Sequence, residues 1–182
     1  MFEWIIVLGK QVIYCLTLFR DMEGHIRWPV SINMAWHYGT DLPPNAFVAG
    51  LDASQQNIYI GIASIHECAY PGTLRSSGGK LLVCHDGKVY AIDGPFDVLV
   101  DKEDCKYTWV RVKPDDLIPD DALVAIVNEN HGPVYIGRME VRGSHAVGKV
   151  HDGVCSVAHN GKVTRRRTFD VLTFKYTGPV CN

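Results

Sequence analysis

The chain has 182 residues, 47% of them hydrophobic, and a formal net charge of −2. That length holds one substantial core or two small ones, and the apolar content excludes wholesale disorder. The near-neutral charge excludes a general nucleic-acid binder, which needs a strong basic excess to displace counterions from phosphates.

The first element met along the chain is an extension, residues 1–34. Its segment "FEWIIVLGKQVIYCLTLF" (2–19) is strongly apolar, but Glu3 stands where a signal peptide carries positive charge, and Lys10 and Gln11 interrupt the run. As a membrane span it would carry an ionisable group near its middle, which is costly. Leu8, Val12, Leu16 and Phe19 fall on one helical stripe, so a helix packed on the body is a further option. An appendage to a cytoplasmic protein and a true signal or anchor both stay open, and membrane contact with them. The six cysteines form no Cys-x-x-Cys pair and are expected to be free thiols, mostly buried.

From residue 35 onward the chain writes one phrase twice. Trp36 returns as Trp109, "LPPNAFVA" (42–49) as "IPDDALVA" (118–125), and Tyr59-Ile60-Gly61 as Tyr135-Ile136-Gly137. "HDGKV" (85–89) returns as "HNGKV" (159–163), and "FDVL" (96–99) as "FDVL" (169–172). Matched blocks in one order mark a duplicated unit, placed at 35–105 and 106–182. Within it, "NIYIGIA", "KLLVC", "KVYAI" and "FDVLV" are short, β-branched or aromatic, and bounded by turn residues, so they read as strands. Asp86-Gly87 and Asn160-Gly161 supply the positive backbone angles of two-residue hairpins. Gly61 and Gly137 suggest a bulge or a close backbone approach. "KEDCKYTW" (102–109) is too short for a floppy linker. The expected fold is all-β: two tandem pseudo-symmetric antiparallel units, each too small to stand alone, sharing one core.

These residues resemble the DM-nine repeat family of insects, molluscs and flatworms, whose module also occurs in natterin-type toxins. The resemblance rests on Trp36, "LPPNAFVAG", "IYIG", Pro71-Gly72 before a strand, Gly-Lys after a hairpin turn and "FDVLV", and it covers residues 36 to 176. It implies a compact all-β body with internal two-fold pseudo-symmetry. Some members are mannose-binding lectins that recognise microbial surfaces in innate immunity and can form a homodimer. Their sites use an aspartate just after the "AG" of the first block and a lysine in Pro-Gly-Lys.

Carried over residue by residue, the resemblance implies Asp52 as the first aspartate, but Thr73 stands at the matching lysine. In the second copy Lys149 matches the lysine, and Asn128 is the nearest to the acidic position. Lys88 and Lys162 follow the hairpin turns as secondary contacts, where "Gly-Gly-Lys-Glu-His" is reduced to Gly87-Lys88-Val89-Tyr90 and Gly161-Lys162-Val163-Thr164. A carboxylate accepts from vicinal sugar hydroxyls while an ammonium donates to them. Losing one such charge-assisted bond weakens binding about tenfold to a hundredfold. Each copy is thus an incomplete site, unless Asp52 and Lys149 meet in one composite site.

Other patterns carry less. His66-Glu67-Cys68 and Cys84-His85 lack zinc-finger spacing, so no metal is expected. No Gly-x-Ser-x-Gly elbow, phosphate loop or His-Glu-x-x-His appears, which points away from an enzyme and implies no cofactor. "KVTRRR" (162–167) is the dense basic run, read as a solvated strand face or as a site for a sulfated glycan, acidic lipid or phosphoprotein. "PDDLIPDD" (114–121) reads as a solvated loop, and Trp36 and Trp109 as core. The expected function is non-enzymatic binding of mannose-containing glycans. A structural module of the same fold without a sugar site, and an anion or membrane-surface binder, are the alternatives.

Overall fold

The computed structural model describes residues 6–8, 11–13, 19–20, 26–27, 36–65, 68–77, 79–128 and 132–177. The chain divides into two units, Met1–Met34 and Ala35–Asn182. In the first, β1 (Ile6–Leu8) pairs with β2 (Gln11–Ile13), and β3 (Phe19–Arg20) with β4 (Ile26–Arg27). The helical stripe through Leu8 and Val12 therefore gives way to paired strands, as β-branched Ile6, Val7, Val12 and Ile13 favour.

The second unit is two antiparallel sheets of seven strands each. The first copy contributes β5 (Trp36–Gly39), β6 (Val48–Leu51), β7 (Asn57–Ile65), β8 (Cys68–Arg75), β9 (Leu81–His85), β10 (Lys88–Ile92) and β11 (Phe96–Leu99). The second contributes β12 (Cys105–Val112), β13 (Val124–Asn128), β14 (Gly132–Val141), β15 (Ser144–His151), β16 (Val154–His159), β17 (Lys162–Arg166) and β18 (Phe169–Tyr176). The first sheet runs β10-β9-β8-β7-β11-β5, with β6 also on β7. The second runs β17-β16-β15-β14-β18-β12, with β13 also on β14. Element for element, the duplicated sequence builds the same sheet twice.

Local chemistry explains why. Asp86-Gly87 and Asn160-Gly161 both take left-handed angles, φ 47° and 73°, then 46° and 72°. Arg142-Gly143 and Asp152-Gly153 close the β14–β15 and β15–β16 hairpins in the same way. Such turns match the right-handed twist of the strands they join. On β7 and β8, Gly61 stands opposite Gly72; on β14 and β15, Gly137 stands opposite Gly148. A Cβ on Gly72 would overlap the Leu82 carbonyl oxygen, and one on Gly148 the Ser156 carbonyl oxygen. The paired glycines are where the neighbouring strand crosses at close range.

The central strands of each sheet are buried on both faces. Ala63, Ile65, Leu74, Leu81, Phe96 and Val98 form one cluster within the first copy, and Met139, Val141, Val150, Val157, Phe169 and Val171 the equivalent within the second. The alternate residues of β7, Ile58, Ile60 and Ile62, are also buried, as are Val134 and Ile136 on β14. Alternation puts these on the opposite faces. Thr73 pairs with Ile60 and so shares its face, and its hydroxyl reaches Val147 on β15. That face is the layer the two copies share. Each isoleucine buried there contributes about 1.5–3 kcal/mol by leaving water, which neither copy alone could gain.

Candidate functional site

The four described cysteines, Cys68, Cys84, Cys105 and Cys155, are free. Among the described residues no three His, Cys, Asp or Glu side chains gather as a metal site; His66 and Glu67 lie outside them.

The residues implied by the resemblance fall in different surroundings. Asp52 follows β6, and its Oδ1 accepts from the amides of Ser54 (2.8 Å) and Gln56 (3.0 Å). Its amide donates to the Gln56 carbonyl at 2.8 Å. The carboxylate therefore closes the β6–β7 connection. The neighbouring Leu51 amide donates to His145 Nδ1 at 3.3 Å. His145 and Lys149 both lie on β15, four residues apart and thus roughly 13 Å along the strand. Asp52 and Lys149 accordingly have different neighbours.

Thr73 is 4% exposed. Its hydroxyl accepts from the Val147 amide at 2.8 Å and donates to the Val147 carbonyl at 3.1 Å, clasping the two copies together. At the equivalent place in the other copy, Lys149 has Pro71 where Thr73 has Val147. Proline has no N–H to offer, so the same clasp cannot form there. Asn128 ends β13 with its backbone paired to Gly132, and its side chain lies outside the described residues. Lys88 and Lys162 are exposed, opening β10 and β17 opposite His85 and His159.

Lys149 crosses between the copies in a different way. Its Nζ sits 4.7 Å from the centre of the Tyr70 ring, on the other copy, a contact worth about 0.5–2 kcal/mol. Tyr70 in turn lies 4.7 Å from the His85 ring, and His85 lies 6.1 Å from Tyr90. Asp86 approaches His85 Nε2 at 3.2 Å and is exposed on the hairpin turn. Burial pushes the Tyr70 hydroxyl up to about 12, aided by Cys68 and then by the negative charge of Asp86. Cys84 donates to the Ser156 carbonyl at 3.0 Å; burial raises its thiol, with Lys149 and Arg165 working the other way. Arg165 places Nη2 3.8 Å from where a Cβ on Gly87 would stand.

One seam between the copies thus gathers two cations, Lys149 and Arg165, with an exposed carboxylate, Asp86, around an aromatic floor of Tyr70, His85 and Tyr90. The opposite seam has Thr73 at the lysine position, Ala91 at the arginine, Asn160 at the carboxylate and Ala146 at the tyrosine. Tyr70, His85 and Asp86 were not singled out as sugar contacts from sequence, and Arg165 was read only as part of the basic run 162–167. The Tyr70/Ala146 and Asp86/Asn160 differences between the copies were the signal that could have found them. The basic run also resolves: Arg165 turns toward the first copy, while Arg166 donates to the Glu140 carbonyl at 2.9 Å. Trp109 is half-buried beneath Arg138, whose Cζ lies 4.4 Å from its ring.

A family model described as DM9 repeat matches residues 52–162. No curated protein matches the chain significantly. Among solved structures, the nematode sperm cell motility protein MFP2B is similar at 17% identity and a TM-score of 0.55, over 82% of this chain and 48% of that one. The chain spans about half the length of the nematode protein, and the likeness is one of fold.

Proposed function

Because the chain belongs to the DM9 repeat family, we propose that it is a non-enzymatic carbohydrate-recognition protein of the mannose-binding type, working at the seam that holds Lys149. The observation that carries this reading is the Lys149 ammonium set over Tyr70, in one cluster with Asp86. Sugars offer vicinal hydroxyls, which an ammonium and a carboxylate grip from the two sides of the hydrogen bond. They also offer apolar C–H faces, for which an aromatic floor is the natural partner. Arg165 adds donors, and the backbone of Gly87 leaves room for a ring to approach. Asp86 takes the part that the resemblance gives to Asp52, whose Oδ1 is engaged in its own turn. Mannose-bearing glycans on microbial surfaces are the intended ligand class, and recognition in innate immunity the role.

Retention of the full chain on immobilised mannan, with elution by free mannose, tests this. Lys149→Ala and Asp86→Ala are each expected to weaken retention about tenfold to a hundredfold, while the fold, checked by circular dichroism, persists. Loss on Asp52→Ala with none on Asp86→Ala would move the carboxylate role to Asp52. A wild-type chain that passes mannan unretained would end the sugar reading.

A further inference from the structure

Where β14 turns into β15 and β17 hands over to β18, the second copy carries a groove of about 430 Å3. Arg111, Arg138, Arg142 and Arg166 line it, against the two carboxylates of Glu140 and Asp170. In a chain whose formal net charge is −2, this is a local excess of positive charge.

The floor is fixed. Asp170 accepts from Arg138 Nε at 3.3 Å and Nη2 at 3.1 Å, and its other oxygen pairs with Arg111 Nε. Arg138 also donates to the Ala49 carbonyl at 2.6 Å and rests on Trp109. With Asp170 neutralised between two guanidinium groups, Arg111, Arg142 and Arg166 keep N–H donors beyond those bonds. The Arg111 side chain is 62% exposed. On the neighbouring strand the His159 imidazole is held below its ordinary value, by burial first and then by the positive charges of Arg75 and Arg142.

The duplication supplies an internal control. At the four arginine positions the first copy has Tyr38, Ile62, His66 and Ile92, with Asp97 in the place of Asp170. It builds the same strand order without an arginine at any of them. The strand order therefore does not call for these four cations, yet they converge on one groove. Guanidinium groups match the paired oxygens of phosphate and sulfate, and hold them by charge-assisted bonds. The volume lies within the range of small-molecule sites and admits one ester group on a body the size of a sugar or inositol.

We propose that this arginine-lined groove binds an anion of the phosphate- or sulfate-ester class. It is separate from the seam of Lys149: Arg165 and Arg166 are consecutive on β17 and point to opposite faces. The test is calorimetric titration of the full chain with inorganic phosphate, inorganic sulfate and soluble inositol trisphosphate. A parallel titration uses phosphatidylcholine vesicles with and without phosphatidylinositol bisphosphate. The double variant R142Q/R166Q removes two exposed donors without touching the buried Arg138–Asp170 pair, and Lys80→Gln removes a surface cation elsewhere. Binding of soluble anions that weakens at least about tenfold in the double variant, falls with added salt and survives Lys80→Gln is the expected result. Within that result, vesicle binding tighter than that of the soluble headgroup marks a lipid source, and the reverse order marks a free ester. Absence of soluble-anion binding, or equal binding by wild type and double variant, would overturn the proposal whatever happens on mannan.

Discussion

Replacing Thr73 by valine keeps the shape of the side chain and removes its hydroxyl. In the folded protein that hydroxyl satisfies the amide and the carbonyl of Val147, a residue with no exposed surface. Valine leaves both backbone groups without that partner in a layer closed to water. An unsatisfied buried polar group costs about 1–3 kcal/mol, so the pair is expected to cost about 2–6 kcal/mol in all. For a chain of this size that is a fall in Tm of roughly 4–24 °C. Urea unfolding reads it as a lower midpoint at unchanged slope. Thr73→Ser keeps the hydroxyl and sheds one methyl, so its cost should stay near about 0.8 kcal/mol. A Thr73→Val protein within about 0.5 kcal/mol of wild type, the error of a surface substitution, would refute the clasp. So would a serine variant as damaged as the valine.

Gly148→Ala drives a methyl into the Ser156 backbone, with the Ser156 carbon and Val157 Cα both at 3.0 Å, and is expected to cost about 3 kcal/mol or more. Gly153→Ala meets nothing within 4 Å and bears only the strain of φ +67°, about 1–2 kcal/mol; the reverse order in thermal melts would contradict the close crossing. Asp170→Asn should lower stability by about 2–3 kcal/mol, under the full cost of breaking a buried pair because Arg111 is exposed, as urea midpoints would show. Tyr70 ionises near 10 when unfolded and near 12 when folded. In that window the unfolded chain has released a proton that the folded chain keeps, so stability should fall as pH rises through it. Tyr70→Phe should flatten that fall, and equal slopes for both proteins would count against it. Cys84 and Cys155 are buried with thiols raised by burial, so thiol reagents should label them only after unfolding.

The duplication and most strands were legible because turn chemistry and β-branched runs act over a few residues. Asp86-Gly87 and Asn160-Gly161 announce their hairpins without tertiary help. β8 was harder to read: "CAYPGTLR" contains Pro71, which argues against a central strand. The sheet tolerates it because β9 pairs only with Gly72 and Thr73, leaving Pro71 opposite Ile62 on β7 alone. Thr73 looked like a lysine lost from a site, whereas it holds the copies together, a role visible only once Val147 faces it. Lys149 was named from sequence, but its meeting with Tyr70 and Asp86 was hidden for the same reason. The members of that seam lie far apart in the chain and meet through the packing of one sheet on the other. Arg111 and Arg166 were likewise scattered, with nothing local to join them.

The two sheets share one strand order, yet Lys149 and Thr73 occupy equivalent places. A body built twice to one strand order thereby acquires two unlike seams. On the mannose-binding reading proposed above, and with one charged seam among the described residues, one chain would offer a glycan surface one grip, however many mannose units are displayed. Tight attachment to such a surface then has to come from several chains held together, where each added grip multiplies the last through effective concentration. Crosslinking of mannan would accordingly track the assembly state of the protein, and a dispersed monomer would bind without clumping.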